Sequence, residues 1–119
     1  MIDRLDISGV HTDLDRAIEK YVQKKIGGLD RYVPRSARLS LHVEVKLKEA
    51  RAKDRRLSTC EVIMHLPHEI ITASETTINM YAAIDIIEVK LKQQLRKYKD
   101  QHLNPKFYRH LFKRLSKNK

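Results

Sequence analysis

The chain has 119 residues, of which 41% are apolar and 34% are charged, so its size suits one compact domain. The single cysteine, Cys60, excludes an intrachain disulfide framework, and no segment approaches the ~20 apolar residues of a membrane span. The N-terminal segment is typical of neither a signal peptide nor a transit peptide, so we expect a cytoplasmic protein.

The positive charge is concentrated at the end of the sequence. The formal net charge is +10. Residues 1–89 contain equal numbers of basic and acidic side chains, whereas residues 90–119 contain eleven Lys or Arg and one acid, Asp100. A basic block on an otherwise neutral domain is typical of a protein that binds a polyanion. We therefore expect a nucleic-acid partner.

The first third of the chain predicts a strand followed by an amphipathic helix. Alternating apolar residues indicate a strand over residues 2–8. Asp13 is a candidate N-cap for a helix whose apolar residues recur every three or four positions. Those positions are Leu14, Ala17, Ile18, Tyr21, Val22, Ile26 and Leu29. Because consecutive glycines weaken a helix, Gly27 and Gly28 predict that it ends there.

Three further strands are expected in the middle of the chain. Alternation of apolar and polar residues predicts a half-buried antiparallel strand over residues 39–47 and another over residues 60–66. The charged segment 48–56 between them is predicted to be a hairpin tip. After a turn at Pro67, residues 69–74 indicate a third short strand, and the three strands form a β-meander.

A long amphipathic helix is predicted over residues 78–100. Its apolar face consists of Met80, Ala83, Ile84, Ile87, Leu91, Leu95 and Tyr98. The β-α-β-β-β-α order predicts an α+β fold, a two-layer sandwich in which two helices pack on one face of a four-stranded sheet. We divide the chain into a binding domain, residues 1–102, and a basic C-terminal tail, residues 103–119.

The sequence shows no pattern of residues that is typical of an enzyme. His65 and His68 form an H-x-x-H pair beside Pro67, but no third metal ligand accompanies them. Cys60 lies on the apolar face of its strand without a neighbouring His, which favours a buried side chain over a nucleophile. The acids are dispersed. We therefore expect no catalysis, no cofactor, no metal and no small-molecule substrate.

Basic residues of the two helices are the candidate RNA contacts. At about 100° per residue, the long helix divides its cations between two flanks of the apolar face. Lys90 and Lys97 lie on one flank, and Lys25 of the first helix is expected to border the same groove between the helices. The remaining candidates are Arg31, Lys92, Arg96 and Lys99. Because no strand carries a stacking pair of aromatic residues, we expect recognition of RNA backbone and shape.

A stretch of the long helix resembles a known family. Residues 79–85 read N-M-Y-A-A-I-D, followed by Lys90-Leu91 and by Q-L-R-K at 94–97. This is similar to the D-M-Y-x-A-I-D, K-L and R-Q-L-x-K pattern of the ribosome hibernation promoting factor family, which includes ribosome-associated inhibitor A. The segment L-D-R-Y at 29–32 is similar to the end of the first helix in that family. The resemblance covers about residues 1–100 and implies the same β-α-β-β-β-α fold.

Membership would imply binding to the small ribosomal subunit between its head and body, where messenger and transfer RNA lie. The protein would then inhibit translation by occlusion and preserve idle ribosomes. Basic residues of the two helices would contact rRNA, and Lys25, Lys90 and Lys97 match basic positions of the pattern. The chain departs from it at Gly28, where a Lys is usual, and at Gln93, where an Arg is usual.

The resemblance leaves the length of the natural protein open. Long forms of the family add a C-terminal dimerisation domain that joins two ribosomes, and the residues after His102 are too few for it. The chain therefore matches a short form or the N-terminal domain of a long form, and we expect a monomer in solution. The tail is basic and aromatic, and we expect it to be loosely held until it orders on rRNA. The competing interpretation is a packed helix.

Two other functions stay open. A double-stranded-RNA-binding-type module has a similar α-β-β-β-α portion, but it requires basic residues at the start of its second helix. Residues 76–80 of this chain include no cation. A structural ribosomal protein or a ribosome-assembly protein is the other alternative. The growth phase in which the protein occupies ribosomes would distinguish this alternative. A hibernation factor belongs to the stress response and occupies ribosomes in stationary phase but not during fast growth.

Overall fold

The computed structural model describes residues 1–10, 12 and 14–103. The strands are β1 (Leu5–Val10), β2 (His42–Ala52), β3 (Arg55–Leu66) and β4 (Glu69–Thr77). The helices are α1 (Arg16–Lys25), a short α2 (Arg35–Arg38) and α3 (Met80–Leu103), with a 3-10 helix (Gly27–Tyr32) after α1. This order confirms the predicted β-α-β-β-β-α succession. The part of the tail from residue 104 onward lies outside the described residues, so its division from the domain stays a prediction.

The four strands form one sheet in the order β1-β2-β3-β4. β1 and β2 are parallel because the chain between them crosses over through α1 and α2, whereas the two later pairs are antiparallel hairpins. Val45 of β2 lies opposite Val62 of β3, which lies opposite Ala73 of β4. The predicted α+β two-layer fold is confirmed.

The core lies between the sheet and the helices. Each of the seven residues predicted to form the apolar face of the long helix is buried in α3. They pack against alternate residues of the strands, among them Val43, Val45, Val62 and Met64. The 3-10 helix adds Leu29 to the same core. The apolar face of α3, which repeats every 3.6 residues, therefore packs against the apolar face of the sheet, which repeats every two residues.

The predicted first residues of α1 and of the second strand were wrong. α1 begins at Arg16, and its N-cap is Asp15, whose Oδ1 accepts a hydrogen bond from the Ala17 amide at 2.9 Å; Asp13 lies outside the described residues. The second strand begins at His42 and not at residue 39, because residues 35–38 form a helical turn. Leu39, which its alternation assigned to the core, is 91% exposed.

The N-terminal strand is displaced relative to its prediction. β1 begins at Leu5 and continues through Gly9 to Val10. The residues before it are held by the 3-10 helix, since the Ile2 amide donates to the Gly27 carbonyl at 2.8 Å. The N-terminal ammonium lies 2.7 Å from Asp30 Oδ2. A Cβ on Gly27 would lie 3.2 Å from Met1 Cγ, so a side chain fits here only if the exposed Met1 side chain shifts by a few tenths of an ångström.

The hairpin between β2 and β3 is longer than its sequence suggests. β2 continues to Ala52 and β3 begins at Arg55, so the turn consists of Lys53 and Asp54 alone. The φ angles of those two residues are 51° and 64°, the left-handed values that a tight two-residue hairpin requires. The charged sequence predicts only a tip here, because a ribbon exposed on both faces has no apolar alternation.

Candidate nucleic-acid interface

The contact between α1 and α3 is built from acidic and basic side chains. Tyr21 donates a hydrogen bond to Asp85 Oδ1 at 2.6 Å, and this bond raises the pKa of the tyrosine above its ordinary value. Lys25 Nζ lies 3.8 Å from the same Asp85 oxygen and 3.9 Å from Glu88 Oε1. Glu88 Oε1 also lies 3.8 Å from Lys92 Nζ. Glu88 therefore holds two ammonium groups together at the surface.

Tyr32, at the end of the 3-10 helix, joins a third cation to this group. The Arg31 guanidinium carbon lies 5.1 Å from the centroid of the Tyr32 ring, and Lys92 Nζ lies 5.5 Å from it. Both distances are within the range of a cation–π contact. The structure therefore brings Lys25, Arg31 and Lys92, three of the seven predicted RNA contacts, into one cluster.

Two further predicted residues extend this cluster along α3. Arg96 and Lys99 follow Lys92 by four and seven positions, so they lie on the same side of the helix, one and two turns further on. Both are exposed. We call the set Lys25, Arg31, Lys92, Arg96 and Lys99 the basic strip.

The flank of α3 that carries Lys90 and Lys97 lies on the side of β4 and not beside α1. Lys90 Nζ is 2.6 Å from Glu75 Oε2 and 3.3 Å from the Ser74 carbonyl oxygen, so its ammonium lies over β4. Lys97 follows Lys90 by two helical turns on that flank. The expectation that Lys90 borders the same groove as Lys25 was wrong. The helical period of 100° per residue predicts which cations share a flank of α3, but it does not predict which flank faces α1.

The predicted cations differ in how far they are neutralised. Lys25 and Lys92 face Glu88, and Lys90 faces Glu75, as described above. Arg96, Lys97 and Lys99 make no ion pair with any residue that the structure describes. Among the predicted contacts on α3, positive charge is therefore least neutralised in the C-terminal half of the helix.

Sequence reasoning missed three residues of this surface. The sequence shows Asp85 and Glu88 only as dispersed acids and indicates no role for Tyr32. The spacing of Glu88 and Lys92, four apart on a helix, was a signal for an ion pair. The contacts of Tyr32 had no such signal, because they depend on how the 3-10 helix packs against α3.

No catalytic site is visible in residues 1–10, 12 and 14–103. These residues include no group of His, Cys, Asp and Glu that would hold a metal ion. His65 Nε2 lies 2.9 Å from Glu44 Oε2 and its ring stacks on His42 at 5.3 Å, which accounts for its position. Cys60 is fully buried, and burial raises the pKa of its thiol to about 12.

The helices within the described ranges do not have the character of membrane segments. None of them combines the length and the apolar composition that crossing a bilayer requires.

The sequence has relatives of known description. Residues 5–103 match the profile of the family described as "Sigma 54 modulation protein / S30EA ribosomal protein". Two curated relatives are named "Ribosome hibernation promotion factor". That of Lactococcus lactis subsp. cremoris (strain MG1363) is 35% identical over 81% of this chain and 49% of its own length. That of Staphylococcus aureus (strain COL) is 35% identical over 81% and 48%. The chain thus spans about half the length of these relatives.

Solved structures agree with the fold. The structure titled "Crystal structure of Thermus thermophilus Protein Y N-terminal domain" superposes with a TM-score of 0.63 at 27% identity, over 78% of this chain and 94% of that one. The structure titled "Structure of an ribosomal subunit interface protein from Coxiella burnetii" gives a TM-score of 0.64 at 24% identity, over 81% and 97%. The second likeness bears on the fold alone.

These findings confirm the resemblance seen in the helical motif of residues 79–97. They also confirm the prediction of a non-enzymatic protein, because the matching family is one of ribosomal proteins. The chain belongs to the Sigma 54 modulation protein / S30EA ribosomal protein family, whose curated members include ribosome hibernation promotion factors.

Proposed function

We propose that this chain is a ribosome hibernation factor of the cytoplasm. It binds rRNA of the small ribosomal subunit, lies in the path of messenger and transfer RNA, and inhibits translation by occlusion. Family membership supports a role on the ribosome, and the names of the curated relatives support hibernation. The single observation that carries the rRNA contact is the charge of α3, whose C-terminal half presents cations without partners among the described residues.

The chemistry of these cations suits a folded RNA. Contacts of lysine and arginine with phosphates carry no information about base sequence, and such contacts dominate affinity for nucleic acids. Tyr32, which lies beside the basic strip, is half-buried under two cations and is not free to stack on a splayed base. Recognition by backbone and shape is therefore the mode that this surface favours.

The alternative of a double-stranded-RNA-binding-type module has less support. Its second helix would need cations at the start. Here α3 begins with an uncharged cap, in which Asn79 Oδ1 accepts from the Tyr81 amide at 2.8 Å and Thr77 Oγ1 accepts from the Asn79 amide at 2.9 Å. The cations of α3 begin only at Lys90, near the middle of the helix.

Competition for the small subunit tests the proposal. Purified small subunits are incubated with a labelled message and labelled initiator transfer RNA, and the chain is titrated in. We expect both RNAs to be excluded, and an excess of them to slow binding of the chain. The variant Arg96→Gln/Lys97→Gln/Lys99→Gln should lose binding and exclusion together. Simultaneous, independent binding of the chain and both RNAs would refute occlusion.

A further inference from the structure

The β2–β3 hairpin extends beyond the rest of the sheet. Pairing of β1 with β2 ends at Lys48, and pairing of β4 with β3 ends at Ser58. Beyond these residues β2 and β3 pair only with each other, as a two-stranded ribbon over residues 49–57. At about 3.4 Å per residue the ribbon projects roughly 13 Å. Residues 50–56 are all exposed.

Both faces of the ribbon carry arginine, and one of them carries two. Arg51 lies directly opposite Arg56 in the ladder, so both side chains are on the same face, with Glu49 as their neighbour. Arg56 lies 3.5 Å from Glu49 Oε2, whereas Arg51 has no ion-pair partner among the described residues. Like charges directly opposite each other destabilise a hairpin. A bound anion between the two guanidinium groups would remove that repulsion.

The other face of the ribbon combines two alanines with two large side chains, Arg55 and Leu57. Ala50 and Ala52 alternate there with the cationic positions, and Arg55 lies opposite Ala52. The turn adds Lys53 at the furthest point, held in the left-handed conformation described above.

The position of the ribbon indicates the size of the ligand. The ribbon leaves the sheet at the end where α3 begins, because Ser58 pairs with Thr77 just before that helix. Arg96 lies sixteen residues after Met80, which corresponds to roughly 24 Å along α3. A ligand that contacts both the ribbon and the end of the basic strip must be an extended polyanion.

From this geometry we infer that the β2–β3 ribbon is a second RNA-binding element, in which Arg51 and Arg56 grip phosphates of the rRNA backbone. Guanidinium groups bind phosphate through two parallel hydrogen bonds, which makes arginine the suitable side chain for this position. The inference rests on the proposed function, because it takes the same rRNA as its ligand. It adds a binding element that lies outside both helices.

The test compares two double variants that remove the same charge. Arg51→Gln/Arg56→Gln changes the ribbon. The control, Arg4→Gln/Lys46→Gln, removes one cation before β1 and one on the face of the sheet turned away from the helices, and neither of these makes an ion pair with a described residue. Binding to purified small subunits is measured over a range of salt concentrations, and melting temperature verifies folding.

We expect the ribbon variant to bind about tenfold more weakly, and its log–log salt slope to be smaller by about 1 for each phosphate that it no longer neutralises. The control should match the wild type. If the wild type binds and the ribbon variant has the same affinity and slope, the ribbon inference fails and the proposed function stands. If the wild type does not bind small subunits, the proposed function itself fails.

A second measurement covers the case in which the ribbon variant does not fold. Cys60 is buried and its thiol pKa is raised, so Ala52→Cys introduces the one reactive thiol at the end of the ribbon. An iron chelate attached there generates hydroxyl radicals locally. Cleavage of rRNA in the bound complex supports the contact. Absence of cleavage from residue 52, in a complex where the same probe at Lys99→Cys cleaves, contradicts it.

Discussion

At the scale of single residues, Gly28 offers a gain-of-function test. The family pattern has a Lys where this chain has Gly28, and a Cβ placed there would meet no atom within 4 Å. Its φ is not positive, so a side chain causes no backbone strain. The position lies in the 3-10 helix that also carries Arg31 of the basic strip.

We predict that Gly28→Lys binds small subunits about threefold or more tightly, because it adds a cation beside the strip. Melting temperature should not fall, since replacing glycine reduces the entropy of the unfolded chain. The matched control Gly28→Gln has a similar length and no charge. If the two variants bind small subunits with equal affinity, position 28 lies outside the binding surface.

Cys60 supplies a prediction about reactivity. Burial raises the pKa of its thiol from 9.0 to about 12, so the folded protein contains almost no thiolate near pH 8. A disulfide reagent such as dithionitrobenzoate should therefore react with the folded chain only at its rate of unfolding, and immediately in denaturant. Fast reaction of the native protein would show that the strand around Cys60 opens.

The residue scale also shows what the sequence could not predict. The sequence identified the basic residues of α3 because lysine and arginine are recognised by residue type alone. It did not identify their partners, since Glu88 and Tyr32 meet Lys92 only when α3 packs beside α1 and the 3-10 helix. The position of Lys90 over β4 depends on the same packing.

At the scale of elements, the two flanks of α3 are distinguishable by experiment. Arg96→Gln/Lys99→Gln removes two cations from the basic strip, and Lys90→Gln/Lys97→Gln removes two from the flank over β4. We predict that the first variant weakens binding to small subunits about tenfold and the second by less, because Lys90 already has Glu75 as a partner.

Neutral substitutions are needed for this comparison. Lys90→Glu would place a carboxylate beside Glu75 and disturb the fold as well as the charge. Gradient fractions give the affinity of each variant, and circular dichroism gives its melting temperature. A larger loss in Lys90→Gln/Lys97→Gln would place the rRNA contact on the β4 side.

The predicted elements were most accurate where a strongly apolar face runs along the element. α3 and the middle of β2 and β3 have a single apolar face, so their period is visible in the sequence. The ribbon over residues 49–57 is exposed on both faces, and its strand character arises from pairing alone. The turn around Leu39 was missed because that residue continues the apolar alternation of β2 without belonging to the sheet.

At the scale of the whole molecule, the distribution of charge predicts the role of the tail. Residues 103–119 contain six basic residues and no acid. Deleting residues 104–119 should weaken binding to small subunits and reduce the salt slope, because fewer phosphates are neutralised. We expect the melting temperature of the truncated chain to equal that of the full chain. A fall of many degrees with unchanged affinity would favour a packed structural role for the tail.

The central claim is that this domain binds the small ribosomal subunit through phosphate contacts. Sedimentation through sucrose gradients with separated small and large subunits, at low and at high salt, tests it most directly. We predict that the chain sediments with the small subunit at low salt, is released as salt rises, and stays at the top of gradients that contain large subunits. Sedimentation with neither subunit, equal binding to both, or binding to the small subunit that salt does not weaken would contradict the claim.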